Sequence, residues 1–546
     1  MCLVAALTLV LSGCTKDDAP KVKTPFDNAN IAKIADIEKK LGDNVITIHP
    51  EISINDRSVP EGEEGYWVPM TDEIAETCTF EWYRYNARID GQLYDQYKIA
   101  DTRNLDDFYL GGLNVGNYDF FFRVTDMDGI TYTSNVFKVK ISGKYTPGFI
   151  VLSDVEGKTR VDFVNNLDGT MGPVMDILSG TAAPALGAPV GVSCTYDFYG
   201  APGNLFEGQV NAANGYTINI MSETNMVRLY WEDMSYADKY QLYNQFKFMA
   251  GMGMGEYPNA NFCPTVIYSA AVNESGKGEC IVYDKGNKEI RYYDAVNMVL
   301  WNANATMMMN KIDGAKFTPS PVLTGNSNSD GIAAILFNED NKSFVKLHSV
   351  SFVTGGTASY YTEPGLNNTG KELVFSNWKF QAGNDQEVVA IQKDAAGNLY
   401  YVSFKSNTGG NFRSNQITAP KSSEATDFTT GQSLNSPNFI YYRTDTEIYA
   451  INQANLTVTK VLDAPEGMKF SKIKIEKNAI DSDNAGWMNR LMVFSYDPEA
   501  SEHSCGTMEV YKVNEGTGAL TLDVFNEKEM KWSGFGKVVD AAFKQK

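Results

Sequence analysis

Few side chains in this sequence are spaced for catalysis. The three histidines, His49, His348 and His503, lie far apart along the chain, so a histidine cluster for metal binding or acid–base chemistry is not predicted. The sequence contains no H-E-x-x-H, no G-x-S-x-G and no Walker loop. A glycosidase needs only two suitably separated carboxylates, and the 67 Asp and Glu residues keep that alternative open. We predict a protein without catalytic residues, without a metal and without a cofactor.

Aromatic side chains are the better candidates for ligand binding. Tyr236, Tyr240 and Tyr243 recur at i, i+4 and i+7, which predicts a helical insert near residues 233–255 with these rings on one face. The Gly- and Met-rich stretch that follows suits adaptable recognition; the alternative is that the rings pack over the end of a sheet. Tryptophans beside predicted strands can stack on sugars or peptide side chains if exposed, or fill sheet cores if buried. The candidate ligand-binding residues are Trp231, Tyr236, Tyr240, Tyr243, Trp301 and Trp378.

The beginning of the sequence indicates where the protein resides. An apolar run at residues 2–11, too short for a permanent transmembrane helix, precedes Leu11-Ser12-Gly13-Cys14. This segment resembles the lipobox of bacterial lipoproteins, which implies a signal peptide over residues 1–13 and a lipid on Cys14. The next residues, Thr15 to Asp18, resemble the acidic export tag of surface lipoproteins in Bacteroidetes. We expect a lipidated tether over residues 14–30 and an outer-membrane, cell-surface location; an ordinary N-terminal core helix or a permanent anchor is the alternative.

Charge and cysteine content narrow the classes of partner. The 47 Lys and Arg against 67 Asp and Glu give a net charge of −20, which disfavours nucleic acid as a partner. Five cysteines follow Cys14, an odd number without C-x-x-C spacing. We interpret them as isolated thiols, with a Cys263–Cys280 bridge as the alternative.

Residues 31–144 are predicted to form a β-sandwich. Residues 78–85 alternate in polarity as half-buried strands do, and Trp82 among them is predicted to be a core plug between two sheets. Apolar residues within 31–41 recur near helical spacing and predict a short helix. The run from Gly116 to Ile141 resembles a PKD domain, most of all that of PKD-like lipoproteins of Bacteroidetes. The resemblance implies a PKD/Ig-like fold, and genes beside SusC/SusD-type outer-membrane importers.

Residues 145–546 carry a repeat of a hydrophobic strand, a polar turn and a Tyr-rich strand. A step of about 50 residues is typical of a four-stranded propeller blade, so the predicted fold class is all-β, a sandwich followed by a β-propeller of about seven blades. One unit begins at Phe149, and residues 535–543 are expected to pair with it and close the ring. The other units begin at Val227, Ile281, Ile332, Val388, Phe439 and Leu491, in steps of 54, 51, 56, 51 and 52 residues.

Together these features favour a non-enzymatic surface lipoprotein that binds a nutrient, an oligopeptide or an oligosaccharide. The partner implied by the resemblance is a SusC/SusD-type outer-membrane transporter. The alternatives are a propeller-based glycan hydrolase or lyase and a protein-binding scaffold or adhesin. The sequence does not separate a peptide ligand from a glycan.

Overall fold

The computed structural model of this chain is all-β, with 41 strands among the residues that it describes. It divides into two compact units, residues 1–144 and residues 145–546. The described residues are 24–40, 45–89, 92–110, 113, 116–142, 145, 147–164, 172–198, 214–230, 234–238, 241–244, 246, 258–269, 279–294, 308–325, 332–348, 357–379, 386–431, 438–475, 490–525 and 527–544.

The first unit has one six-stranded sheet and two smaller sheets around a single hydrophobic cluster. Trp82 lies in that cluster with no exposed surface, and its indole Nε1 donates to the carbonyl of Thr102 at 2.9 Å. The prediction that Trp82 is a core residue is confirmed. The strands are Ala29–Ile31, Ile37–Lys40, Val45–Ile48, Ile52–Asn55, Trp67–Pro69, Thr79–Ile89, Gln92–Ala100, Leu105–Tyr109, Gly116–Thr125, Thr131–Thr133 and Phe137–Ser142, and one helix spans Asp72–Ala75.

The predicted helix within residues 31–41 is wrong. Ala29–Ile31 pairs antiparallel with Ile52–Asn55, and Ile37–Lys40 pairs parallel with Phe137–Ser142. Ladders with strands distant in sequence satisfy these backbone groups, so tertiary pairing overrides a weak helical spacing.

The second unit is a succession of seven sheets of three to five strands, called sheets 1 to 7 in chain order. Sheet 1 is Gly148–Val155, Lys158–Val164 and Lys537–Lys544; sheet 2 is Pro189–Phe198, Asn214–Ser222 and Met226–Tyr230; sheet 3 is Pro264–Ser269, Glu279–Asp284 and Glu289–Asp294. Sheet 4 is Thr324–Gly325, Ile332–Asn338, Ser343–His348 and Ala358–Tyr360; sheet 5 is Glu372–Lys379, Glu387–Lys393, Leu399–Lys405 and Arg413–Ile417. Sheet 6 is Thr426–Thr429, Phe439–Arg443, Glu447–Asn452 and Val458–Asp463; sheet 7 is Lys469–Ile475, Arg490–Tyr496, Gly506–Val513, Leu520–Leu522 and Lys531–Phe535.

Two small hairpins and two short 3-10 helices also lie in the second unit. The hairpins are Lys311–Ile312 with Ala315–Lys316 and Val524–Phe525 with Lys528–Glu529, and the 3-10 helices are Pro364–Leu366 and Ser422–Glu424.

Alternate residues of a central strand face different neighbouring sheets. In sheet 5, Val388 and Ala390 lie in the cluster shared with sheet 4, while Val389 and Ile391 lie in the cluster shared with sheet 6. A strand buried on both faces needs an almost continuous apolar run. This requirement explains the strong hydrophobic signal in each repeat.

Each sheet packs on the next, and sheet 7 packs on sheet 1. Shared hydrophobic clusters join sheets 1 and 2, 3 and 4, 4 and 5, 5 and 6, 6 and 7, and 7 and 1. Sheets 2 and 3 meet where Cys263 Sγ lies 3.8 Å from the carbonyl of Ser222. The arrangement is propeller-like, because every sheet covers both faces with a neighbour.

Sheet 1 takes one of its edge strands from the far end of the unit; this strand and the first strand of each other sheet are called the inner strands. Lys537–Lys544 pairs antiparallel with Gly148–Val155, and Phe149 lies opposite Phe543. The predicted pairing of residues 535–543 with the unit at Phe149 is confirmed.

One predicted hairpin is misplaced. Val227 lies in the last strand of sheet 2, whereas the other predicted starts lie in the first strand of a central hairpin. The Tyr-rich segment after Tyr230 resembles a second strand in polarity, but its described residues do not pair as one.

Candidate ligand-binding site

Among the described residues, a side chain and not a fourth strand pairs with Arg228 at the outer edge of sheet 2. Gln241 Oε1 accepts from the Arg228 backbone N–H at 2.7 Å, and Gln241 Nε2 donates to the Arg228 carbonyl at 3.0 Å. The same Nε2 donates to the carbonyl of Ala237 at 3.0 Å. The amide of Gln241 thus forms the two hydrogen bonds that a residue of a neighbouring strand would form with the N–H and carbonyl of Arg228.

The segment that carries Gln241 turns back over sheet 2. The Met234 N–H donates to the Tyr230 carbonyl at 2.9 Å, and Leu242 and Phe246 are buried. Residues 242–244 and 246 are helical, whereas Tyr236 lies ahead of them in irregular chain. The prediction that Tyr236 shares a helix face with Tyr243 is therefore wrong, although both rings reach the same cavity.

That cavity has a volume of about 360 Å³ and is called the Tyr243 cavity. The Tyr243 side chain is 39 % exposed, and its ring meets Phe262 nearly edge-on at 5.8 Å between centroids. Apolar rings and amide or carboxylate groups share the wall, as in pockets that bind small ligands. The lining residues are Pro184, Asn225, Met226, Tyr236, Asp238, Gln241, Leu242, Tyr243, Asn244 and Phe262.

The Asp238 carboxylate is the one charged group among the described lining residues. Its Oδ1 accepts from the Tyr236 hydroxyl at 3.2 Å, and its Oδ2 accepts from Asn244 Nδ2 at 3.3 Å. Burial, and then the negative charge of Asp238, raise the pKa of Tyr236. The Tyr236 hydroxyl therefore stays protonated and remains a donor at neutral pH.

The structure separates the sequence candidates. Tyr236 and Tyr243 line the cavity, while Trp378 is 4 % exposed in the core between sheets 4 and 5 and is not open to a ligand. Trp231, Tyr240 and Trp301 lie outside the described residues.

Sequence reasoning missed the polar half of the cavity. Asp238 and Asn244 lie in the segment already singled out, but no periodicity marks them. Phe262 comes from the chain just ahead of sheet 3, and only the packing of sheet 3 on sheet 2 brings it near Tyr243. A single sequence contains no signal for such a long-range contact.

Charged groups on the inner strands hold sheets together. Lys474 Nζ lies 3.0 Å from Asp540 Oδ1, and Asp540 Oδ2 accepts from the Val192 N–H at 3.0 Å. Burial acts to raise the pKa of Asp540, but the charges of Lys474 and Lys472 and the hydrogen bonds from Val192 and Lys474 together outweigh it, and the pKa lies below its usual range. Asp427 of sheet 6 is paired with Lys472 of sheet 7 at 3.1 Å and, within its own sheet, with Arg443 at 2.7 Å. Carboxylates neutralised by cations are poor general acids.

A second cavity, of about 420 Å³, lies between sheets 1 and 7 and is lined by carboxylates. Those carboxylates have structural partners: Asp154 accepts from the Gly157 N–H in its own turn at 2.9 Å, and Glu502, after a strand of sheet 7, accepts from the Glu156 N–H of sheet 1 at 2.8 Å. Across the described part of the chain, three or more His, Cys, Asp or Glu never come together as a metal site.

Two further observations concern the cysteines and the membrane. The described cysteines Cys78, Cys194, Cys263, Cys280 and Cys505 are free thiols. In the described chain, helices of the length and apolarity needed to cross a membrane are not found.

Comparisons with known proteins do not place the chain in a family. No family model matches it, and no curated protein matches it. Among solved structures, a DUF4784 family protein from Bacteroides caccae matches at 9 % identity over 95 % of this chain and 100 % of that chain, with a TM-score of 0.27. TolB from Acinetobacter baumannii matches at 8 % identity over 78 % of this chain and 79 % of that chain, with a TM-score of 0.31.

A fungal lectin from Aleuria aurantia, a six-bladed β-propeller that recognises fucose, matches at 8 % identity with a TM-score of 0.28. The match covers 64 % of this chain and 93 % of that chain. At these identities and TM-scores, the likenesses carry no argument about the ligand of this chain.

Proposed function

We propose that this protein is a cell-surface lipoprotein that binds a nutrient ligand in the Tyr243 cavity. The observation that carries the proposal is the combination of aromatic rings, among them the exposed ring of Tyr243, and fixed polar groups in one concave site. Concave sites with an apolar wall and a few oriented polar groups are typical of ligand binding.

The proposed role is binding without catalysis. Hydrolysis of a glycosidic bond by the usual pair of carboxylates requires two such groups across the scissile bond. The described wall of the Tyr243 cavity contributes only Asp238. The paired state of Asp427 and Asp540 on the inner strands also favours a structural role for those carboxylates.

The proposed architecture is a PKD/Ig-like domain followed by a β-propeller of seven blades, one for each of sheets 1 to 7. The cycle of packed sheets and the pairing of Lys537–Lys544 with Gly148–Val155 support the propeller. The lipobox-like sequence before Cys14 supports attachment to the outer membrane. In this proposal, the protein delivers its ligand to a SusC/SusD-type importer.

Isolation of the complex from outer membranes tests this role. Full-length protein carrying an affinity tag should recover a SusC/SusD-type transporter, and a lipid analogue fed to the cells should label the protein. The Cys14→Ser variant, which lacks the thiol that accepts the lipid, should lose the label and the outer-membrane location. Recovery of the unlabelled protein alone from a soluble fraction would refute both the anchor and the partner.

A further inference from the structure

The cavity wall carries groups that complement the two kinds of surface of a sugar ring. A pyranose has a face of C–H groups and a rim of hydroxyls. The rings of Tyr243, Tyr236 and Phe262 line the cavity, and the negative face of an aromatic ring attracts C–H groups. Asp238 lies on the same wall, and a carboxylate only accepts hydrogen bonds, so it suits hydroxyl donors.

The Asp238 carboxylate is oriented but not saturated. Each oxygen accepts one long hydrogen bond from the described residues, at 3.2 Å from Tyr236 and at 3.3 Å from Asn244. An ionised carboxylate offers about four lone-pair sites, so two neighbouring hydroxyls can still donate to it. Because Tyr236 and Asn244 already fix the direction of the carboxylate, little conformational entropy is lost when a ligand binds.

The charge of the described cavity wall favours neutral sugars over acidic ones. Among the described lining residues, Asp238 is charged and Lys and Arg are not represented. A uronic acid, a sulfated sugar or a peptide carboxylate would bring a second negative charge to this described part of the wall, where Asp238 already carries one. The net charge of −20 acts in the same direction at longer range.

The edge of sheet 2 disfavours an extended peptide. Peptides commonly bind by adding a strand to an open sheet edge, where backbone groups supply the affinity. At this edge the N–H and the carbonyl of Arg228 are both occupied by the Gln241 amide. A peptide would have to displace a buried side chain before it could form the first rung of a ladder.

We propose that the Tyr243 cavity binds a neutral carbohydrate. Its apolar face packs on the rings of Tyr243 and Phe262, and two of its adjacent hydroxyls donate to Asp238. This inference rests on the proposed function and names the ligand class of the same site.

Calorimetry on the full chain tests the inference with three sets of probes: maltohexaose, xylohexaose and mannohexaose; galacturonate oligomers; and a tryptic digest of casein. At least one neutral oligosaccharide should bind, and acidic oligomers should bind more weakly. Tyr243→Ala and Asp238→Asn should each weaken binding about tenfold or more, while Tyr243→Phe should retain it.

Matched controls use the same residue types elsewhere. Tyr109, which is 62 % exposed in the first unit, and Asp313, in the turn of a small hairpin, should tolerate Tyr109→Ala and Asp313→Asn without loss of binding. Binding of casein peptides but not of sugars, lost in Tyr243→Ala, would overturn the carbohydrate and leave the proposed binding function intact. If none of the three probe sets binds, the result counts against both the carbohydrate inference and the proposed binding function.

Discussion

The backbone groups at the outer edges of sheets 2 and 5 find their hydrogen-bond partners in different ways. In sheet 5, Arg413–Ile417 forms a fourth strand and pairs along Leu399–Lys405. In sheet 2, the described edge at Arg228 is closed by the side chain of Gln241. A strand covers a whole edge, whereas one amide covers one residue and leaves room beside it. The Tyr243 cavity lies in that room, so the candidate site occurs where the repeat is interrupted.

The largest effect is expected in the regular region. Phe404 is 1 % exposed, and its ring lies 5.1 Å from that of Phe344 and 5.2 Å from that of Tyr361. Phe404→Ala should lower the free energy of unfolding by about 3–5 kcal/mol, because it leaves a cavity between sheets 4 and 5. Urea denaturation measures this loss, and ligand binding by the folded variant should not change. A loss comparable to that of a surface substitution would contradict the packing described for these sheets.

A smaller effect is expected at the edge of sheet 2. Gln241→Ala should lower the free energy of unfolding by about 1–3 kcal/mol, because the Arg228 N–H and carbonyl are left buried without partners. It should also weaken ligand binding, since Gln241 is part of the cavity wall.

Gln416→Ala is the matched control for this substitution. Gln416 is exposed on the outer strand of sheet 5, where backbone pairing does not depend on its side chain. Its replacement should change stability by no more than about 0.5 kcal/mol. Equal losses for the two glutamines in urea denaturation would show that Gln241 does not substitute for a strand.

The smallest effect is a pH dependence at the inner edge of sheet 2, where Asp540 accepts from Val192. The pKa of Asp540 is lowered in the folded state, so its ionised form contributes stability above its unfolded pKa. That contribution is lost as the pH falls through the lower folded value. Asp540→Asn should be less stable than the parent at neutral pH, and the gap should narrow below about pH 4. Denaturation curves across this pH range measure the gap, and a gap that stays constant would refute the role of the Lys474 pair.

The sequence predicts what depends on local periodicity and misses what depends on distant contacts. The alternation around Trp82 and the apolar run at Val388–Ile391 identify strands, because burial on one or both faces leaves a regular pattern. Tyr243 is a candidate because it recurs with other tyrosines in an unusual segment. Gln241 and Phe262 have no such pattern, since their roles arise only when the segment turns back over sheet 2 and when sheet 3 packs beside it.

The pairing of Lys537–Lys544 with Gly148–Val155 also sets the order of events during synthesis. Tyr145 and Lys544 are joined by a hydrogen bond across 399 positions of sequence. A nascent chain must therefore keep its earliest sheet incomplete until nearly the whole unit has been synthesised. Contacts of such long sequence separation form slowly, and an exposed edge invites aggregation during the wait. Folding of this unit should consequently depend on chaperones more strongly than folding of a protein whose sheets each close locally.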